Sequence, residues 1–80
     1  MNLRILAFGV AQEMVGGPVA EVQLPGTATV RDLRQLLLRQ FPPLGQLASF
    51  LIAVNHAYAG EDQPIGPGDE IALIPPVSGG

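Results

Sequence analysis

Thr29-Val30-Arg31-Asp32-Leu33-Arg34-Gln35-Leu36-Leu37-Leu38-Arg39-Gln40-Phe41-Pro42-Pro43 is the segment on which the fold turns. Val30, Leu33, Leu36, Leu37 and Phe41 recur at helical spacing and so share one face. Thr29 reads as the N-cap, and Asp32, three residues on, as its capping-box partner. The helix is predicted to run through Gln40 and to stop at Pro42-Pro43, where the chain lacks the N–H groups a further turn needs. No other stretch has so long a helical pattern, and its apolar stripe needs a sheet to cover.

The sheet is legible on both sides of the helix. Asn2 to Val10 alternates, with Leu3, Ile5 and Ala7 facing one way and Arg4, Leu6 and Phe8 the other. Gln12 to Val15 reads as a short helical turn before the breaker Gly16-Gly17-Pro18. Val19 to Leu24 alternates again and lies near enough in sequence to pair antiparallel with the first strand. Pro25 to Ala28 is a turn. After the helix, Leu44 to Ser49 reads as a loop or a short irregular turn. Phe50 to Val54 is a continuous apolar run, a strand buried on at least one face. Asn55-His56 is a turn, Ala57 to Ala59 a short edge strand, and Gly60 to Asp69 a loop rich in Pro and Gly. Glu70 to Ile74 is the last strand, with Ile71 and Leu73 on one side and Ala72 and Ile74 on the other. The expected architecture is α+β: a mixed sheet of about five strands with one main helix packed across it.

Composition narrows the function. Eighty residues with 48% hydrophobic content make one small packed domain. A net charge of −3 argues against a nucleic-acid partner. The only cationic side chains are Arg4, Arg31, Arg34 and Arg39; three fall on the helix, where a solvated face is their expected role. There is no cysteine, which excludes disulfides, thiolate metal sites and a cysteine nucleophile. No apolar run approaches a membrane span, so a cytoplasmic protein with no membrane partner is expected.

The body offers no catalytic constellation. His56 is the only histidine and reads as a surface turn residue. The acid pairs Glu61-Asp62 and Asp69-Glu70 read as solvated turn acids, because no further oxygen ligands recur at loop spacing. Gly16-Gly17-Pro18 lacks both the spacing and the lysine of a phosphate-binding loop. No metal site and no bound cofactor are expected.

The tail is different. The last strand runs into Pro75 and Pro76, which cannot donate a ladder hydrogen bond and form a stiff extended spacer. Val77, Ser78, Gly79 and Gly80 follow. Glycine has no Cβ, so Gly79 and Gly80 can thread a channel too narrow for any side chain. The Gly80 carboxylate is then the one reactive feature left. It is a poor electrophile until activated, typically as an acyl adenylate from ATP; sulfide, or a persulfide whose S–S bond a thiol then reduces, can displace AMP and leave a thiocarboxylate. The absence of lysine fits such a chain, since few amines of its own could attack the activated carbonyl. Residues 1–74 are the expected domain and 75–80 the expected tail.

Ile74-Pro75-Pro76-Val77-Ser78-Gly79-Gly80, together with Val54-Asn55, Gly68-Asp69-Glu70-Ile71 and Glu13-Met14-Val15-Gly16, resembles the ubiquitin-like β-grasp sulfur carriers, above all the small subunits of molybdopterin synthase. The resemblance spans nearly the full length and implies a β-grasp fold. It implies that Gly80 is adenylated by a partner related to the ubiquitin activators, which uses ATP and Mg, and that a sulfur donor protein then loads it. It implies transfer of that sulfur to the dithiolene of molybdopterin within a large synthase subunit, in a heterotetramer whose large subunit carries the catalytic groups. Phe8, Tyr58 and Ile74 match family positions that contact the partner. The sequence departs from the family pattern at Gln12, where an arginine is common, and at Ile74, where an aromatic is more usual. Other readings of the same fold are a sulfur carrier for thiamine, tRNA thiolation or cysteine synthesis, a ubiquitin-like modifier joined to lysines through Gly80, and a plain interaction module.

Overall fold

In the computed structural model, which describes residues 1–47 and 49–76, one sheet and one main helix enclose a single core. The elements are β1 (Asn2–Ala7), α1 (Ala11–Val15), β2 (Val19–Gln23), α2 (Val30–Gln40), a 3-10 turn (Pro42–Gln46), β3 (Leu51–Val54), β4 (Ala57–Tyr58) and β5 (Ile71–Ile74). The five strands are ordered β2-β1-β5-β3-β4. β1 and β5 run parallel at the centre; the β1–β2, β3–β5 and β3–β4 pairs are antiparallel. This is the β-grasp arrangement: a first hairpin, a crossing helix, and a last strand inserted beside the first.

α2 forms where its sequence pattern places it. Thr29 Oγ1 accepts the Asp32 N–H at 3.4 Å, and Asp32 Oδ2 accepts the Thr29 N–H at 2.9 Å. Val30, Leu33 and Leu37 are fully buried, and Leu36 and Phe41 pack at the margin. They lie over the inward-facing residues Leu3, Ile5, Val22, Ile52, Ile71 and Leu73, all of them in the same core cluster. Each such side chain contributes on the order of 1.5–3 kcal/mol on burial. The first two N–H groups of the helix are taken by the loop that precedes β5: Val30 donates to the Gln63 carbonyl at 2.9 Å and Arg31 to Glu61 at 3.0 Å.

Several boundaries differ from the sequence expectation. β1 ends at Ala7 rather than Val10, because Gly9 turns the chain with φ +56°. Phe8 still donates its N–H to the Leu73 carbonyl at 3.2 Å, one step past the strand. β5 begins at Ile71, not Glu70, since the Glu70 N–H goes to a side chain, Asn55 Oδ1, at 2.9 Å. The segment after α2 is not a plain loop. Pro42 and Pro43 stop the α-helix and also begin the 3-10 turn, for which their fixed φ is suited, and that turn buries Leu44 completely. Arg34 is a second correction. It does not belong to a solvated face: its guanidinium donates to Glu61 Oε1 and to the Phe50 carbonyl, each at 2.8 Å, and lies 4.8 Å from the Phe50 ring centroid. No helix among the described residues is long and apolar enough to cross a membrane.

Candidate functional site

The sheet has one face under α2 and one face open. Alternation sends Leu6, Phe8, Leu51, Ala53, Tyr58, Ala72 and Ile74 to the open face. Register brings them together in two rows. Leu6 stands opposite Ala72, Ala72 opposite Ala53, and Ala53 opposite Tyr58. The second row joins Ile74 to Leu51, with Phe8 beside Ile74, one residue past the Ala7–Leu73 pair. Phe8, Leu51 and Tyr58 are 48%, 45% and 69% exposed. Clustered exposed apolar side chains of this kind make the open side of the sheet the candidate interaction face.

Phe8, Tyr58 and Ile74, widely separated in sequence, converge on one open hollow of about 330 Å³, completed by Ala53, His56 and Ala72. Leu51 belongs to the same face and escapes sequence reasoning. In a run that is apolar throughout, from Phe50 to Val54, no alternation marks which residue points outward; only its pairing with Ile74 does. A second hollow, about 380 Å³, lies at the start of β1 and β5, lined by residues including Arg4, Asp69 and Glu70, at the end of β5 away from Pro75.

The tail root adjoins the apolar face. β5 ends at Ile74, and Pro75 is half-buried while Pro76 is exposed. Gly9 sits against it, so close that a Cβ there would be 3.3 Å from Pro75 Cγ. Gln12 is exposed but folds back, donating from Nε2 to the Ala7 carbonyl at 3.1 Å. The remaining tail residues singled out above, Val77, Ser78, Gly79 and Gly80, lie outside the described residues.

The Val54-Asn55 and Gly68-Asp69-Glu70 segments meet at the other end of β5, where they brace the sheet. Asn55 and His56 have φ of +53° and +71°, the left-handed pair of a tight two-residue hairpin. Asn55 Nδ2 donates to Asp69 Oδ1 at 3.0 Å, and the Gly66 N–H donates to Asp69 Oδ2 at 2.7 Å. These donors, the Gly66 N–H first, hold the Asp69 carboxyl below the usual aspartate range. His56 Nε2 lies 2.9 Å from Glu70 Oε2 at the rim of the apolar hollow. The histidine is therefore an exposed turn residue, as its sequence context implies. Nothing in this arrangement is a nucleophile with a base. It can present an apolar surface beside Pro75 and Pro76.

The chain is similar to known proteins in sequence and in fold. A molybdopterin synthase sulfur carrier subunit of Arabidopsis thaliana is 31% identical, over all of this chain and 84% of that protein. The H. volcanii small archaeal modifier protein 1 superposes with a TM-score of 0.82 at 26% identity, covering 95% of this chain and 98% of that one. Subunit 1 or 2 of a protein–protein complex of the molybdopterin-converting factor of Helicobacter pylori superposes at 0.68 with 25% identity, over the full length of both chains. The model of the ThiS family matches residues 5–80, and the chain belongs to that family.

Proposed function

We propose that this protein is the sulfur carrier subunit of a molybdopterin synthase, working through its Gly80 carboxyl group. An adenylating partner joins the carboxylate to AMP with ATP and Mg, releasing pyrophosphate. A hydrosulfide equivalent from a sulfur donor protein adds to the acyl carbon, AMP leaves, and a proton is lost as the thiocarboxylate forms. Its sulfur then attacks an oxygen-bearing carbon of the pterin precursor, and the carbon–oxygen bond there breaks as the oxygen leaves. Water cleaves the acyl–sulfur bond, so the sulfur stays on the product and Gly80 returns as a carboxylate. The catalytic groups belong to the large subunit, in a cytoplasmic heterotetramer. Tethering the sulfur on a tail raises its effective concentration at the reacting carbon.

The observation that carries this reading is the apolar face of Phe8, Tyr58 and Ile74 set beside the root of Pro75 and Pro76. A large subunit seated on that face receives the tail directly. The complex of subunits 1 and 2 in Helicobacter pylori supports the choice of partner. Mass spectrometry of the protein from its own host tests the reading: a gain of about sixteen daltons, sulfur for oxygen, is expected on the C-terminal peptide. Deleting Gly80 is expected to abolish sulfur transfer to the large subunit and to leave the melting temperature unchanged. Transfer that survives the deletion rejects the mechanism.

The likeness to a small archaeal modifier protein favours one second reading, conjugation of Gly80 to lysine amines of other proteins. The same mass spectrometry separates the two. Isopeptide-linked Gly-Gly remnants on target lysines mark a modifier, and the thiocarboxylate marks a carrier.

A further inference from the structure

Ala53 and Ala72 face each other across β3 and β5 at the middle of the open face. Alanine is a poor strand residue, and an outward position on a central strand ordinarily carries a β-branched or larger side chain. Here a methyl group stands opposite a methyl group, while Phe8, Tyr58 and Ile74 rise around them. Ala53 is only 5% exposed, yet it is not part of the core cluster beneath the sheet. Ile52 and Val54 point inward, so Ala53 is sheltered by its neighbours on the outer side. The result is a low floor within a tall apolar wall.

We infer that this hollow is a socket for one large apolar side chain projecting from the large subunit, and that the small size of Ala53 and Ala72 sets which side chain it admits. The inference rests on the reading that a large subunit receives the tail. Two features point to a protein side chain as occupant. Four of the six lining residues are apolar, and of the two polar ones His56 is already engaged, its Nε2 2.9 Å from Glu70 Oε2, while Tyr58 offers a single hydroxyl. The hollow also borders Ile74, the last residue before Pro75, so a partner that takes up the tail covers it. An anchor buried in such a pocket and ringed by exposed contacts is where a few residues carry most of a binding energy.

The absence of cysteine gives a direct test. Ala72→Cys introduces a single thiol, which methanethiosulfonates of increasing size cap and a reductant uncaps. Affinity for the large subunit of the same organism is measured by calorimetry, each adduct being compared with the uncapped variant. The dissociation constant is expected to rise little for a methyl adduct and roughly tenfold or more for a benzyl adduct. Reduction is expected to restore it. The same benzyl group on Leu38→Cys, at an exposed position of α2 away from the sheet, is expected to change nothing. A benzyl adduct at position 72 that binds as tightly as the free thiol overturns the socket. Should that adduct also lower the melting temperature, the methyl, ethyl and propyl adducts that melt alike decide the matter by the same comparison. Failure of the unsubstituted protein to bind the large subunit is a separate outcome, and it removes the functional reading itself.

Discussion

Asn55 and Asp69, fourteen residues apart, are joined by a 3.0 Å hydrogen bond that ties the β3–β4 turn to the start of β5. The same carboxamide accepts the Glu70 N–H at 2.9 Å, and the Asn55 N–H donates to the Glu70 carbonyl at 2.8 Å. One side chain thus ends the β3–β5 ladder and supports a left-handed turn. Asn55→Ala is expected to destabilise the fold by about 1–3 kcal/mol, from lost hydrogen bonds and from left-handed strain together. Asn55→Gly recovers the strain share only. Urea unfolding of the two variants measures each part.

Asp69 makes stability depend on acid. Its folded pKa is depressed by the Gly66 N–H and then by Asn55. A depressed value means that the folded state binds the proton less readily than the unfolded chain. The contribution is therefore present above the ordinary aspartate value and is lost as pH falls through the folded one. Melting temperature followed from about pH 6 down to about pH 2 is expected to fall less steeply in Asp69→Asn than in the unsubstituted protein.

Arg34 links α2 to the loop before β5 and to the chain entering β3 through its bonds to Glu61 and the Phe50 carbonyl. Its side chain is 25% exposed, and that of Glu61 is 43% exposed. Arg34→Lys keeps the charge but not the planar fork or its stacking on Phe50. We expect a loss of about 1–2 kcal/mol on that change, and a smaller one for Glu61→Gln, measured by denaturant midpoint.

Phe8 and Tyr58 are expected to separate binding from stability. Both are largely exposed, at 48% and 69%. Phe8→Glu and Tyr58→Glu are each expected to weaken docking to the large subunit roughly tenfold or more. Their unfolding free energies are expected to stay within about 0.5 kcal/mol of the parent. Unchanged affinity in both would remove the apolar face from the interface.

Local chemistry made much of this molecule legible. Helical spacing with a capping residue at Thr29 and a proline stop gave α2 its observed limits, Val30–Gln40. Alternation in β1 and β5 assigned Phe8 and Ile74 to the open side of the sheet, away from Leu3, Ile5, Ile71 and Leu73. Those signals depend on residues a few positions apart, so they survive in the bare sequence. The tail motif is also a local pattern, of consecutive residues ending in Gly79 and Gly80, but Val77 to Gly80 lie outside the described residues.

Tertiary structure decided what depends on register. The parallel pairing of β1 with β5 places Phe8 beside Ile74. The β3–β5 register adds Leu51 to the open face and sets Ala53 against Ala72. No local pattern encodes these adjacencies, because a strand can slide along its neighbour without altering its own periodicity. Arg34 shows the same limit: its charge was plain from sequence, but its partners are Phe50 and Glu61, brought to it only when the chain folds back over the helix. The sequence by itself thus determined most of the elements and the inward faces of β1, β5 and α2, while packing of distant strands around one core determined which side chains share the open face beside Pro75.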